Sequence, residues 1–131
     1  MPKPTTATGA DCNHRTNLPL VEGSTFVDLL ANLGEETTRK LLQEFLEDTG
    51  QRCQRLATAL DANNRVTVGN EAHSVKGAAA SFGAARLCEI ASDLEREAAN
   101  GSIKQLRALT TALKFAEQPT AEEFKRRLAG L

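Results

Sequence analysis

The stretch EAHSVKGAAASFG, residues 71–83, is the segment around which the rest of the chain is organised. Written as a helix, it has one apolar stripe of residues spaced three and four apart, namely Ala72, Val75, Ala79 and Phe82. A second stripe lies beside the first and consists of His73, Lys76, Gly77 and Ala80. The segment therefore predicts a helix that packs through one face and presents the other face to solvent.

The imidazole of His73 is the candidate chemical group of the solvent face. Its unperturbed pKa of about 6.5 leaves much of the ring neutral and nucleophilic near neutral pH, which suits reversible acceptance of a phosphoryl group. Lys76, one helical turn away, offers a positive charge to a group that carries roughly −1.5 to −2 charges. Because exposed ion pairs contribute only about 0.2 to 1 kcal/mol, we expect Lys76 to tune the site and His73 to define it.

Gly77 indicates that the space beside the imidazole is needed for something other than helix stability. A glycine in a helix interior costs about 1 kcal/mol relative to alanine. With Ala80 one turn further along, the surface next to His73 lacks bulk. Such a surface suits the close approach of a phosphate group or of another protein's backbone.

The sequence resembles the signature of the histidine-containing phosphotransfer (HPt) domain of bacterial multistep phosphorelays. The resemblance is carried by the runs 72–77, 82–83 and 94–95 and by Leu87; it reaches upstream to residues 45–48 and spans roughly residues 29 to 101. It implies that His73 is phosphorylated on its outer ring nitrogen, that Lys76 assists and that Gly77 clears the approach. Glu95 occupies the family position that faces the histidine from the next helix. A carboxylate there can orient the imidazole, and it also repels a phosphoryl group.

The resemblance also implies partners: the receiver domain of a response regulator, which binds Mg²⁺ and carries the aspartate that exchanges phosphoryl with the histidine, and an upstream sensor or hybrid histidine kinase. The residues expected to border the docking surface are Ala72, Lys76, Gly77, Ala80 and Glu95. The sequence contains neither a Gly-x-x-x-x-Gly-Lys-Ser/Thr loop nor a Gly-x-Gly-x-x-Gly motif for ATP. We therefore expect a phosphocarrier domain, not an enzyme, without a cofactor or metal of its own.

Composition narrows the class of protein further. The 131 residues make one domain, and 16 basic against 17 acidic residues leave no electrostatic footprint for nucleic acid or an anionic membrane. Cys12, Cys53 and Cys88 are odd in number and widely spaced, which fits neither a disulfide framework nor a Cys-x-x-Cys metal site. Reduced thiols, with no signal peptide or transmembrane run, predict a cytoplasmic protein. Without a sustained exposed heptad seam, we expect a monomer.

The chain divides into two parts. Residues 1–19 are rich in Thr, Ala and Pro without periodicity, which predicts a flexible tail or linker, and residues 20–131 form the HPt-like helical bundle. Cys12 and His14 lie in the first part, where two potential ligands are too few to indicate a metal site.

Helix signals follow one another along the second part. Ser24 can cap a short first helix that ends at Gly34. The longest helical pattern runs from Glu35 to about Ala62, because its apolar residues alternate spacings of four and three.

The helix that carries His73 has a weak beginning. Asn64 can cap it, but residues 66–69 are poor helix formers, so firm helix is expected only from Asn70. After Gly83 the apolar pattern resumes and closes at residues 100–101.

Two helices are expected at the C-terminal end. Ser102 with Gln105 makes a capping box for one helix, which we expect Pro119 to end. The pattern recurs at Thr120 for a last short helix. The predicted fold is all-α: an antiparallel up-down-up-down four-helix bundle with short additional helices at the N- and C-terminal ends.

Other interpretations remain beside the phosphorelay intermediate. The bundle is alternatively a docking module that binds a receiver domain or another protein without carrying phosphate, or the phosphoacceptor domain of a chemotaxis-type kinase. The sequence also leaves open whether the chain is free-standing or the C-terminal domain of a hybrid kinase, and in which direction phosphate flows.

Overall fold

Five α-helices make up the computed structural model, which describes residues 18–131. The helices are α1 (Gly23–Leu33), α2 (Glu35–Asp61), α3 (Arg65–Phe82), α4 (Ala85–Glu97) and α5 (Ile103–Ala129). The predicted tail lies outside the described residues except for its last two positions, and Cys12 and His14 lie outside them as well. None of the helices in the described range is long and apolar enough to cross a membrane.

The helices α2 to α5 form a closed bundle. The helix α2 packs against α3 and α5, and α4 packs against the same two helices, so α3 and α5 lie at opposite corners. Because the connections between successive helices are short, neighbours run antiparallel, as predicted. The first helix, α1, packs across α2 and α3 at one end.

Apolar stripes from all four long helices meet in the centre of the bundle. The fully buried side chains include Leu56, Val68, Val75, Leu87, Leu94, Leu106 and Leu113. Two aromatic pairs extend this core: Phe45 stacks on Phe82 with ring centroids 4.8 Å apart, and Phe26 meets Phe124 at 5.8 Å. The second pair fixes α1 against the C-terminal part of α5.

The helix α3 begins earlier than the sequence predicts. It is regular from Arg65, and Asn64 caps it as predicted by accepting a hydrogen bond from the Thr67 backbone N–H. Val68 is completely buried, and Arg65 donates to the backbone carbonyls of Ala98 and, at 2.7 Å, of Gly101. These tertiary contacts compensate for the low helix propensity of this segment.

The prediction that Pro119 ends a helix, with a short separate helix after it, is wrong. The helix α5 continues through Pro119 to Ala129. A proline inside a helix removes the hydrogen bond to the carbonyl four residues earlier, here that of Phe115. Phe115 lies on the exposed side of α5, while Thr120 and Phe124 are buried and hold the rest of the helix in place.

The glycine C-cap predicted at Gly34 is present, whereas α4 ends at Glu97 and not at the predicted residues 100–101, and the first helix starts differently. Gly34 and Gly83 both have positive φ and end α1 and α3. The cap of α1 is Glu22, not Ser24: its carboxylate accepts from the Ser24 backbone N–H at 2.7 Å. The Glu22 backbone N–H donates in turn to the carbonyl of Gly83, which ties α1 to the turn between α3 and α4.

Candidate functional site

His73 lies in the middle of α3, on the face that the bundle leaves open. The apolar stripe of α3 is buried and consists of Val68, Ala72, Val75 and Ala79. The opposite face carries His73, whose side chain is 67% exposed. The imidazole therefore points toward solvent, as the amphipathic pattern of residues 71–83 predicts.

A carboxylate from the next helix holds one nitrogen of the imidazole. Glu95 on α4 places Oε2 2.7 Å from Nδ1 of His73. Its other oxygen, Oε1, lies 2.6 Å from Nζ of Lys76. Glu95 thus bridges His73 and Lys76, and the three side chains form one network between α3 and α4.

The charge state of this network follows from its contacts. The Lys76 ammonium, hydrogen-bonded to Glu95, holds the pKa of that carboxyl below its ordinary value; the contact with His73 acts in the same direction, and partial burial opposes both. An ionised carboxylate only accepts hydrogen bonds, so Nδ1 of His73 carries the proton that it donates. In the neutral ring the lone pair then lies on Nε2.

The helix surface beside His73 is free of bulk. Gly77 and Ala80 are both exposed. A Cβ atom built on Gly77 would meet nothing within 4 Å, so the fold itself does not require a glycine at this position.

Four of the five residues predicted to border a docking surface lie around the imidazole. Lys76, Gly77, Ala80 and Glu95 are exposed or half-buried beside His73. The fifth, Ala72, is completely buried, so its prediction as a docking residue is wrong. The helical period explains this, because Ala72 belongs to the apolar stripe that packs into the core.

The ion pair between Lys76 and Glu95 is the feature that sequence reasoning missed. The sequence indicated Glu95 as a neighbour of the histidine and Lys76 as a counter-charge for phosphate, without pairing the two. The signal was available: an antiparallel α4 that brings Glu95 to His73 also brings it to the residue one turn further along α3.

The helix α3 is fixed on both sides of the site. Glu71, on the side that faces α2, accepts hydrogen bonds from Arg52 at 2.8 Å and from Arg55 at 3.2 Å. Together with the contacts of Arg65 near α4, these bonds hold the backbone that carries His73 in a defined position.

Cys53 and Cys88, the two cysteines within residues 18–131, take no direct part in this network. Cys53 is buried, and burial raises the pKa of its thiol. Cys88 is half-buried, and burial raises the pKa of its thiol too. The part of the chain from residue 18 onward contains no cluster of three or more potential metal ligands.

Comparisons with known proteins agree with this geometry. The family model of the Hpt domain matches residues 40–118, which is more than half of the chain. The crystal structure of histidine-containing phosphotransfer protein B (HptB) from Pseudomonas aeruginosa PAO1 resembles this fold with a TM-score of 0.78 and 24% sequence identity, over 87% of this chain and 98% of that chain. A comparison with curated proteins gave no match.

The chain therefore belongs to the Hpt domain family. It is a histidine phosphotransfer domain of signal transduction, that is, a phosphocarrier domain and not a catalytic domain. The predicted family and the predicted four-helix bundle are both confirmed.

Proposed function

We propose that this chain is a phosphorelay intermediate that accepts a phosphoryl group on His73 and passes it to the aspartate of a response-regulator receiver domain. The donor is the phosphorylated aspartate of another receiver, or a histidine kinase. The single observation that carries the proposal is the exposed imidazole whose Nδ1 is bound to Glu95 at 2.7 Å, which leaves Nε2 directed away from that contact.

The transfer step needs no base on this chain. The Nε2 lone pair attacks phosphorus, the P–O bond to the partner's aspartate breaks, and the aspartate leaves as a carboxylate with the bonding electron pair. The Nδ1 proton stays in place, so the ring becomes a phosphorylated imidazolium. Glu95 stabilises that positive charge through the same hydrogen bond. The reverse step returns the phosphoryl group to a receiver aspartate.

Lys76 has two roles in this proposal. Its ion pair with Glu95, at 2.6 Å, offsets the negative charge that would otherwise repel an incoming phosphoryl group. An ammonium group has three donors, so Lys76 can keep Glu95 and also donate to a phosphoryl oxygen. Gly77 leaves room for the phosphate and for the partner's backbone.

The partner supplies the remaining chemistry. Phosphoryl transfer depends mainly on positioning and on neutralisation of charge, which Mg²⁺ in the receiver's acidic pocket provides. The docking surface in this proposal is bordered by Lys76, Gly77, Ala80 and Glu95. We place the reaction in the cytoplasm, where the thiols of Cys53 and Cys88 stay reduced.

The test is phosphoryl transfer from a radiolabelled, Mg²⁺-loaded receiver domain to the native chain and to two variants. The sequence has two histidines, so His14→Gln is the matched control for His73→Gln. We expect acid-labile, alkali-stable label on the native chain and on His14→Gln, and none on His73→Gln. Label of this kind on His73→Gln contradicts the proposal.

The same experiment separates the alternatives. A docking module would bind the receiver equally well with and without His73 and take no label. A phosphoacceptor domain of a chemotaxis-type kinase would take label directly from an ATP-bound kinase domain in preference to a receiver.

A further inference from the structure

Val66 is a large apolar residue of α3 that the fold leaves exposed. It lies in the first turn of the helix and is 74% exposed. The next two residues have structural roles: Thr67 donates its backbone N–H to the Asn64 cap, and Val68 is completely buried. A β-branched apolar residue on an exposed helix surface stabilises neither the helix nor the core.

Val66 lies on the same face of α3 as His73. Seven residues turn a helix by about 700°, so the two side chains point within about 20° of the same direction, about 10 Å apart along the axis. Exposed residues continue this line on both sides of His73, and the set is here called the His73 stripe: Val66, Asn70, His73, Gly77 and Ala80.

The His73 stripe carries no uncommitted charge. The helix α3 contains three charged side chains. Arg65 donates to the carbonyls of Ala98 and Gly101, Glu71 pairs with two arginines of α2, and Lys76 pairs with Glu95. Because these charges are paired within the chain, apolar contact is a source of affinity that a covering protein gains without displacing an ion pair.

We propose that Val66 is the apolar anchor by which this chain binds the receiver domain that exchanges phosphoryl with His73. The inference rests on the proposed function, because transfer requires the receiver to cover Nε2 of His73. A standard interface covers about 800 Å² of each partner, which corresponds to a circle of about 16 Å radius. Centred on His73, such a footprint includes Val66. The occupant is a receiver that presents an apolar side chain beside its phospho-aspartate pocket.

The test compares Val66→Ala with a matched control on the opposite corner of the bundle. Phe115 of α5 is also 74% exposed, and Phe115→Ser removes a larger apolar group far from α3. The assay is single-turnover phosphoryl transfer from a radiolabelled, Mg²⁺-loaded receiver domain, chosen from a panel for the fastest transfer, at several receiver concentrations. Phosphoramidate, a small donor that needs no docking surface, labels His73 in parallel.

We expect Val66→Ala to raise the KM for the receiver about 5- to 15-fold, with the maximal rate and the phosphoramidate labelling within about twofold of the native chain. Val66→Ile restores the native KM, and Phe115→Ser leaves it unchanged. Alanine is the better helix former, so a raised KM cannot come from loss of the fold.

Two results overturn the inference, and they are distinguishable. If His73 takes label from both donors and Val66→Ala has the native KM, or Phe115→Ser raises KM as much, Val66 is not the anchor while the proposed function stands. If neither donor labels His73, the proposed function fails, and the inference fails with it.

Discussion

Gly77 lies within α3 and Gly83 follows its last residue, and the two positions differ in why they hold glycine. Gly83 ends α3 with a φ of +76°, and a Cβ there would lie 2.8 Å from the Thr25 Cβ and 2.9 Å from the carbonyl oxygen of Glu22. Gly77 is in regular helix, and a Cβ there would meet nothing within 4 Å. The fold requires a glycine at Gly83, whereas our proposal attributes the glycine at Gly77 to the phosphoryl group and partner that approach His73.

The comparison shows how a requirement of the fold can be separated from a requirement of function. A structural glycine has a conformation or a neighbour that excludes a side chain. A functional glycine has no such conformation and no such neighbour within its own chain, so the space that a side chain would fill is needed by a partner. The variants Gly83→Ala and Gly77→Ala test the two sides of this contrast.

The largest effect is expected for Gly83→Ala. The left-handed conformation costs a non-glycine residue about 1–2 kcal/mol, and the contacts with Thr25 and Glu22 add about 1–3 kcal/mol. We expect the free energy of unfolding to fall by about 2–5 kcal/mol in urea denaturation. The folded fraction should still take label at the native rate. A variant of native stability would contradict the assignment of Gly83 to the fold.

Gly77→Ala is expected to raise the stability of the chain and to slow phosphoryl transfer. Alanine is the better helix former and meets no neighbour, so the free energy of unfolding should rise by up to about 1 kcal/mol. Transfer from a receiver should slow by about tenfold or more, because a methyl group occupies the approach to His73. Denaturation and transfer are measured on the same preparation. Native transfer by this variant would remove the functional reason for Gly77.

The smallest effect concerns the network that holds the imidazole. The pKa of Glu95 is lowered in the folded state, so its contacts stabilise the protein fully above the ordinary value of 4.5 and lose that contribution as pH falls through the lowered pKa. Glu95→Gln should therefore be less stable than the native chain at pH 7, by about 1 kcal/mol at most, and equal to it in acid.

Urea denaturation of the native chain and of Glu95→Gln from pH 3 to pH 7 tests this expected pH dependence of stability. Glu44→Gln, at an exposed carboxyl of α2 outside the network, is the control and should show no such convergence with the native chain in acid. A stability difference between Glu95→Gln and the native chain that stays constant down to pH 3 would show that the carboxylate is not held by Lys76 and His73.

The helices and the face that carries His73 could be predicted because short-range patterns determine them. The 3.6-residue period separates His73 from Ala72 and Val75, and caps at Asn64 and Ser102 mark where helices begin. The docking role predicted for Ala72 was inconsistent with this period, which places Ala72 on the buried stripe of α3.

Long-range packing explains what the sequence did not predict. Pro119 is a strong local stop signal, yet burial of Phe124 against Phe26 keeps α5 helical beyond it. The early start of α3 likewise depends on Arg65, whose partners are more than thirty residues away. The ion pair of Lys76 with Glu95 requires the register of α3 against α4, which the pattern of either helix alone does not contain and which only the position of Glu95 opposite His73 indicated.

The most direct test of the account is nitrogen and phosphorus NMR of the ¹⁵N-labelled chain before and after transfer from a receiver domain. We predict that the neutral ring of His73 carries its proton on Nδ1, and that phosphorus becomes bonded to Nε2 while that proton remains. Phosphorus bonded to Nδ1 of His73, or to His14, would contradict the account.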